Sequence, residues 1–191
     1  MYGLVIPAYV SLGFLAGASV FGPGRKGLTM LPPARMSPLR GVILLRWTRF
    51  VTTMARSPAN YSSPRGRHGM FGMDMRRLSD VGFVKKPRKA EINGECGVWT
   101  GEWTPPLSTK VYLASKPVQY ESFKRSMIRL APKAQKYVGT KVDGEVCSLS
   151  GLLGVGHHAG ESGIESWVKN PETRKKFSAT TKTFNLVNGI F

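Results

Sequence analysis

The residues of this sequence best suited to chemistry lie in the stretch 151–167, "GLLGVGHHAGESGIESW". His157 and Glu161 are four positions apart, so on a helix they would share one face, where an imidazole and a carboxylate could hold a metal ion. A metal site needs a third ligand, however, and Gly160 and Gly163 break helical continuity. We therefore predict no metal and no cofactor, and interpret these polar residues as surface or interface positions.

The Glu161-Ser162-Gly163 triplet resembles the Glu-Ser-Gly of lytic transglycosylases and related lysozyme-like muramidases. The preceding residues 150–160, "SGLLGVGHHAG", are similar to the surroundings of the catalytic helix in those enzymes. The resemblance implies a lysozyme-like hydrolase in which Glu161 is the general acid. It is confined to this short segment, and for the whole chain the sequence predicts a protein without catalytic residues.

The remaining patterns do not indicate an enzyme either. Gly151, Gly154 and Gly156 have the wrong spacing for a dinucleotide-binding fingerprint, and we interpret them as a turn or close-packing segment. Cys96 and Cys147 lie too far apart in the sequence for a zinc knuckle. We predict two buried, reduced thiols, with a single disulfide between them as the open alternative.

The charge of the chain is strongly positive and unevenly distributed. A formal net charge of +17 indicates an anionic partner, which could be nucleic acid, an acidic lipid surface or an acidic protein. No Asp or Glu precedes Asp74, whereas residues 1–73 hold nine of the 28 Lys and Arg. The front of the chain is therefore an acid-free basic segment, and the rest is closer to an ordinary soluble protein.

The opening of the chain, residues 3–21, contains no charged side chain. This run just reaches the length of about 20 apolar residues that crosses a bilayer, so residues 1–24 are predicted to form a single retained transmembrane helix. Gly13 and Gly17 are a small-xxx-small pair that lets a neighbouring helix pack closely. A cleaved secretory signal would have a basic start and a shorter apolar run. A buried core helix is the alternative that the composition leaves open.

Residues 25–73 are predicted to be an extended basic arm. The positive-inside rule places the cations after the apolar run on the matrix side of a mitochondrial inner membrane. Within the arm, residues 39–56, "LRGVILLRWTRFVTTMAR", predict an amphipathic helix suited to a membrane surface or an acidic groove. Five side chains are predicted to contact lipid or an acidic partner: Arg25, Lys26, Arg46, Arg49 and Arg56.

Residues 74–191 are predicted to be a small mixed α/β region that packs on partner subunits. The segment 140–149 joins two alternating runs through Asp143-Gly144, which predicts a type I′ hairpin. An apolar stripe predicts a helix over 115–133 that Pro132 ends.

Two further elements complete the predicted fold class. Residues 94–106 predict a short aromatic-bearing strand or two around Gly101, and Asn170 before Pro171 predicts a helix start. The whole chain is thus predicted to be mostly irregular with α helices. It would consist of a single N-terminal transmembrane helix, an extended basic arm and a small α+β C-terminal region with a short hairpin.

The predicted function is that of a non-catalytic accessory, or supernumerary, subunit of a large mitochondrial inner-membrane respiratory-chain assembly, with complex I as the first candidate. The span would anchor the chain, and the arm and C-terminal region would bridge several protein subunits and membrane lipid such as cardiolipin. Extended arms need such partners because burial must offset the entropy lost on ordering. A plastid membrane stays open as the location.

Two other classes of function remain as alternatives. A mitochondrial, or other organellar, ribosomal protein would bind rRNA through the basic runs 84–91 and 174–177. Trp47, Trp99 and Trp103 could then stack on bases. The third alternative is a membrane-anchored form of the lysozyme-like hydrolase implied by the resemblance.

Overall fold

The computed structural model describes residues 38–92 and 95–190, with side chains for residues 46–92 and 97–190. The predicted membrane helix over 1–24, with Gly13 and Gly17, lies outside the described residues, as do Arg25 and Lys26. Within the part of the chain that is described, no helix has the length and apolar character needed to span a bilayer.

The described chain is a mixed fold of helices and small sheets, and more than half of its residues are helical. Its strands form three separate two-stranded antiparallel sheets. The elements run in the order α1 (Pro38–Met54), β1 (Arg67–His68), β2 (Met73–Asp74), α2 (Met75–Asp80), β3 (Val84–Ile92), β4 (Glu95–Trp103), α3 (Thr109–Ala114), α4 (Lys116–Gln135), β5 (Lys141–Val142), β6 (Glu145–Val146), α5 (Leu149–Lys169), α6 (Pro171–Lys176) and α7 (Ser178–Val187). This confirms a mixed helical and β region with small sheets, whereas the prediction of a mostly irregular chain is wrong for the described residues.

The core is built around α5, which packs between α4 and α7. Glycines on α5 allow α7 to approach, because a Cβ at Gly154 would lie 2.8 Å from Val187 Cγ2 and one at Gly151 would lie 2.7 Å from Phe184 Cε2. Both distances are shorter than a van der Waals contact. The interpretation of these glycines as a close-packing segment is therefore confirmed.

Helix α1 confirms the helix predicted over 39–56, but its apolar face has a different role. Phe50, Val51 and Met54 are buried in the core of the chain itself. Arg46 and Arg49 are exposed, so these two cations remain accessible to a partner.

Residues 57–73 differ from the extended arm predicted for them. Met70, Phe71 and Met73 are buried in the core, and the ring of Phe71 stacks on that of Phe123 with centroids 4.1 Å apart. The Ser-, Gly- and Pro-rich composition indicated a linker, yet these large apolar side chains supply enough burial to order the segment on the rest of the domain.

The local turn and cap predictions in the C-terminal region are confirmed. Strands β5 and β6 pair through Asp143 and Gly144, whose φ angles of 50° and 87° are those of a type I′ turn. Ser115 caps α4, and the Asn170 side chain accepts a hydrogen bond from the Glu172 amide at the start of α6. The predicted stop at Pro132 is wrong.

Helix α4 continues past Pro132 to Gln135. Pro132 is exposed and lies in the last turns of the helix, so its ring removes one hydrogen bond at a position where water can reach the freed carbonyl. Proline therefore weakens this helix end without terminating it.

Strand β4 confirms the strand predicted in 94–106, whereas its partner was not anticipated. The basic run 84–91 forms most of β3, which pairs antiparallel with β4, with Lys85 opposite Glu102 and Lys89 opposite Trp99. A Cβ at Gly101 would lie 2.4 Å from Val84 Cγ1. This glycine thus permits the close crossing at the base of the hairpin.

Candidate functional site

Two adjacent cavities on one side of α2 form the candidate site. The first has a volume of about 160 Å³ and is lined by three arginines and two histidines, Arg56, Arg67, Arg77, His157 and His158. We call it the arginine cavity. The second, of about 520 Å³, lies next to β4, and we call it the hairpin cavity. Asp74, Arg77 and His158 line both.

A break in α5 creates the wall that both cavities share. Gly160 has φ 82° and ψ 178°, which interrupts the helix and leaves the carbonyl groups before the break short of amide partners. Arg77 Nη2 lies 3.1 Å from the Gly156 carbonyl oxygen and 3.2 Å from that of His157, and donates to both. A cation at the carboxyl end of a helical segment is also favoured by the helix dipole. The predicted loss of helical continuity is confirmed at Gly160 and wrong at Gly163, which lies within the helix.

The start of α2 positions Arg77. The Asp74 carboxylate accepts a hydrogen bond of 2.7 Å from the Arg77 amide and so caps the helix. Burial lowers the pKa of the Arg77 guanidinium, although an arginine stays charged under all physiological conditions. Arg77 is consequently a fixed, partly buried positive charge in the cavity wall.

The ring of His157 is held in one tautomer. Its Nε2 lies 2.8 Å from the Phe71 carbonyl oxygen; because a carbonyl can only accept, Nε2 carries the proton. Its Nδ1 is buried and has no hydrogen-bond partner among the described residues. Burial and then the charge of Arg77 lower the pKa of His157 to about 3, so the imidazole is neutral at pH 7.

The neighbouring ring of His158 is fixed in the same way. The Thr183 hydroxyl donates to the Ala179 carbonyl oxygen at 3.0 Å, so it accepts from His158 Nε2, also at 3.0 Å. Burial, followed by the charges of Arg56, Arg67 and Arg77, lowers the pKa of His158 to about 4. Both imidazoles therefore report a positive electrostatic potential in the arginine cavity.

These histidines make the stability of the fold dependent on pH. All three histidines of the chain, including His68, have a pKa below the ordinary value of 6.5. The folded state favours their neutral forms, so the stabilisation is complete above pH 6.5 and is lost as the pH falls. We expect the half-buried His157 alone to lower the free energy of unfolding by about 2 kcal/mol between pH 7 and pH 5.

Urea unfolding at pH 7, 6 and 5 measures this effect. In His157→Gln, the amide nitrogen can still donate to the Phe71 carbonyl, and the decrease in unfolding free energy should be about 2 kcal/mol smaller. Hydrogen bonds from Lys133 and Lys169 lower the pKa of Glu165 from its ordinary value of 4.5 to about 2. Glu165 therefore makes the unfolding free energy depend on pH only below about pH 4.5, outside the range of this measurement. If the unfolding free energy of the variant depended on pH as that of the unmodified chain does, the pKa of His157 would not be lowered in the folded state, and the ring would be protonated there near pH 5.

The arginines of the cavity have no acidic partner among the described residues. Arg56, Arg67 and Arg77 make no ion pair there. By contrast, Arg174 binds both carboxylate oxygens of Asp143, at 2.8 and 2.9 Å. The cavity thus concentrates positive charge, although Asp74 and Asp80 offset part of the charge of Arg77.

The second feature of the site is the β3–β4 hairpin, which exposes cations along β3. We call Lys85, Lys86, Arg88 and Lys89 the hairpin cations; all four are exposed, and within the described chain only Lys86 has an acidic partner, Glu102 at 3.1 Å. The ring of Trp99 lies 5.0 Å from the Arg76 guanidinium and 5.5 Å from Lys89 Nζ. The first of these cation–π contacts ties the hairpin to α2, and the second joins its two strands.

The structure separates several residues that the sequence suggested for nucleic-acid binding. Trp47 packs against Phe50 and Phe123, and Trp103 packs against Tyr112 with its Nε1 donating to Thr109. Arg174, in the basic run 174–177, is buried and also donates to the Trp167 and Val168 carbonyls. Of these candidates, only Trp99 and the run 84–91 lie at the hairpin.

The enzyme-like residues of the sequence do not converge on a metal or acid–base pair in the described chain. Glu161 is exposed and lies beyond the break at Gly160 from His157. It lines the hairpin cavity together with Asp74 and Asp80. No group of histidine, cysteine and carboxylate side chains suited to a metal ion occurs among residues 46–92 and 97–190. Cys147 is a buried free thiol.

Comparison with known protein families, curated proteins and solved structures finds no match for this chain. The function is therefore inferred from the charge, burial and contacts of the described residues.

Proposed function

We propose that this chain is a non-catalytic subunit that binds an anionic partner through the β3–β4 hairpin. The observation that supports this role is the set of hairpin cations, four exposed side chains on one strand that form a single ion pair among the described residues. Like charges at such spacing repel one another, and a negatively charged surface would remove that repulsion.

The hairpin is held well enough to serve as a docking element. Val84 is buried at its base and Val98 is buried nearer its tip, and the contact between Arg76 and Trp99 joins it to α2. A free two-stranded hairpin is at best marginally stable in water. Because the base is packed, the cations project from a fixed frame, and less entropy is lost when they bind.

The location follows from the opening of the chain. The uncharged run 3–21 followed by Arg25 and Lys26 supports a single transmembrane helix with the bulk of the chain on the matrix side of the mitochondrial inner membrane. The partner would be the acidic surface of neighbouring subunits or lipid in a respiratory-chain assembly, with complex I as the first candidate. The described domain would then be a bridge between subunits.

An acidic protein or lipid surface is a better match for this hairpin than RNA. Single-stranded RNA binding combines backbone contacts with bases stacked on exposed aromatic rings. Trp47 and Trp103 pack within the domain, and Trp99 is already in contact with two cations. Positive charge without a free stacking platform favours recognition of charge alone.

Co-purification with a matched pair of variants tests the role of the hairpin. Tagged full-length chain carrying Lys85→Glu and Lys89→Glu should recover its partner subunits with at least tenfold lower yield than the unmodified chain, since two attractions become repulsions. The control is Lys116→Glu with Lys182→Glu, which changes two exposed lysines outside the hairpin and alters the net charge by the same amount. This variant should recover the partner subunits as well as the unmodified chain does. Equal recovery with both variants would refute hairpin docking.

Fractionation separates the proposed location from the ribosomal alternative. Carbonate extraction of mitochondrial membranes should leave the chain in the pellet, because a transmembrane helix stays in the bilayer at the high pH of carbonate. Release into the supernatant, together with co-sedimentation that is lost after RNase treatment, would instead identify an RNA-bound ribosomal protein. Mass spectrometry of the co-purified chains identifies the assembly.

A further inference from the structure

We propose that the arginine cavity is a binding site for a phosphate-type oxyanion, either free inorganic phosphate or a phosphomonoester, held by the guanidinium groups of Arg56, Arg67 and Arg77. The site is distinct from the hairpin and does not depend on the proposed function. It is inferred from the volume of the cavity, its hydrogen-bond donors and the excess of arginines over carboxylates in its wall.

The volume and composition of the cavity suit a small polar ligand. About 160 Å³ is room for several water molecules or for one tetrahedral oxyanion. The wall contains a single carboxylate, that of Asp74, which already accepts the Arg77 amide. A cation, which would need several carboxylates or neutral oxygens, has few ligands here. The cavity therefore selects for negative charge.

The arginines provide free hydrogen-bond donors as well as charge. No side-chain hydrogen bond of Arg56 or Arg67 occurs within the described chain. Arg77 donates to two α5 carbonyls through Nη2 and to the Ser126 hydroxyl through Nη1 at 3.5 Å. A guanidinium carries five N–H donors in a planar fork that matches two oxygens of a phosphate. Arg77 is anchored by the broken end of α5, so at least one donor group is positioned before a ligand arrives.

The two histidines give a second line of support for a phosphate site, separate from the free hydrogen-bond donors of the arginines. His157 and His158 line the cavity with both Nε2–H groups committed to protein oxygens. Burial lowers the pKa of both imidazoles, and the charges of Arg67 and Arg77 lower both further, while Arg56 acts on His158. A bound anion would cancel part of this potential, and both histidines should then become easier to protonate. That shift is a local signal of occupancy.

Phosphate titration of the purified full-length chain in detergent tests the proposal. Phosphate should raise the unfolding temperature more than chloride at equal ionic strength, and the imidazole NMR signals of His157 and His158 should report a raised pKa. Arg67→Gln should weaken phosphate binding at least tenfold. The control is Arg49→Gln, which removes an exposed arginine of α1 that does not line the cavity.

One further variant and a second ligand test whether the guanidinium groups bind the phosphate and which phosphate compound they bind. Arg56→Lys keeps the charge but loses the planar fork, so it should fold normally and weaken binding less than Arg67→Gln. Glycerol phosphate titrated in parallel assigns the natural ligand, since tighter binding than inorganic phosphate indicates a phosphomonoester and weaker binding the free ion. A response equal to that of chloride, or equal phosphate affinity in Arg67→Gln and Arg49→Gln, would overturn the proposal.

Discussion

Replacing Gln119 by leucine should lower the free energy of unfolding by about 3–5 kcal/mol, because each buried polar group left without a partner costs roughly 1–3 kcal/mol. Gln119 is fully buried. Its Nε2 donates to the Ala59 and Tyr112 carbonyls, both at 2.9 Å, and its Oε1 accepts the Met70 amide at 2.9 Å. Leucine fills a similar volume but satisfies none of these groups.

The loss follows from the position of Gln119 between two parts of the chain that are distant in sequence. On one side its Nε2 donates to the Tyr112 and Leu113 carbonyls at the carboxyl end of α3, where the Tyr112 carbonyl also accepts the Ser115 amide. On the other it holds the segment 57–73 against α4. The variant should consequently also make this segment more sensitive to proteases.

Chemical denaturation of Gln119→Leu and of a control variant measures this loss of unfolding free energy. The control is Gln135→Leu, which changes an exposed residue at the end of the same helix and should stay within about 0.5 kcal/mol of the unmodified chain. A loss below about 1 kcal/mol for Gln119→Leu would mean that water or a rearranged backbone replaces its hydrogen bonds.

Replacing Phe123 by alanine should destabilise the domain by about 3–5 kcal/mol, the range for deleting a fully buried aromatic ring. Phe123 is inaccessible to solvent, and its ring centroid lies 4.1 Å from that of Phe71, 6.1 Å from Phe50 and 5.3 Å from His157. These neighbours come from α1, the segment 57–73 and α5. One truncation therefore weakens three contacts at once.

Phe177→Ala is the matched control, since Phe177 is 47% exposed and its removal should lower the unfolding free energy only slightly.

Phe123→Ala has a second readout beyond stability. The cavity it leaves lies beside the His157 ring, and water entering it would relieve part of the burial that lowers the pKa of that histidine. We expect a raised His157 pKa by NMR. Stability unchanged within about 1 kcal/mol would indicate that α1 and the segment 57–73 do not pack on α4.

The elements predicted correctly from the sequence are those whose cause is local. Asp143-Gly144 makes a turn because these residue types tolerate positive φ. Ser115 and Asn170 begin helices because each side chain bonds an amide two or three positions on. Most of the apolar stripe of α4 is buried as its spacing predicts, and the break at Gly160 reflects the freedom of a residue without Cβ.

The prediction of an extended arm for 57–73 was wrong because its order depends on distant residues. Composition rich in serine, glycine and proline describes what a segment would do alone. It does not reveal that Phe71 stacks on Phe123 or that Gln119 bonds the Met70 amide. Likewise, the basic run 84–91 has no alternation that indicates a strand, since it is exposed on both faces, and only pairing with β4 makes it one.

The sequence by itself determined the net charge, the local turns and caps, and the uncharged opening on which the proposed membrane location is based. Only the tertiary structure decided that Arg77 meets the carbonyls of Gly156 and His157, about 80 positions later, and that Arg56 and Arg67 line the same cavity. The physical reason is that charge and backbone preference belong to single residues and their neighbours. A binding cavity is instead a product of long-range packing, which brings together groups whose separation in sequence carries no information about their distance in space.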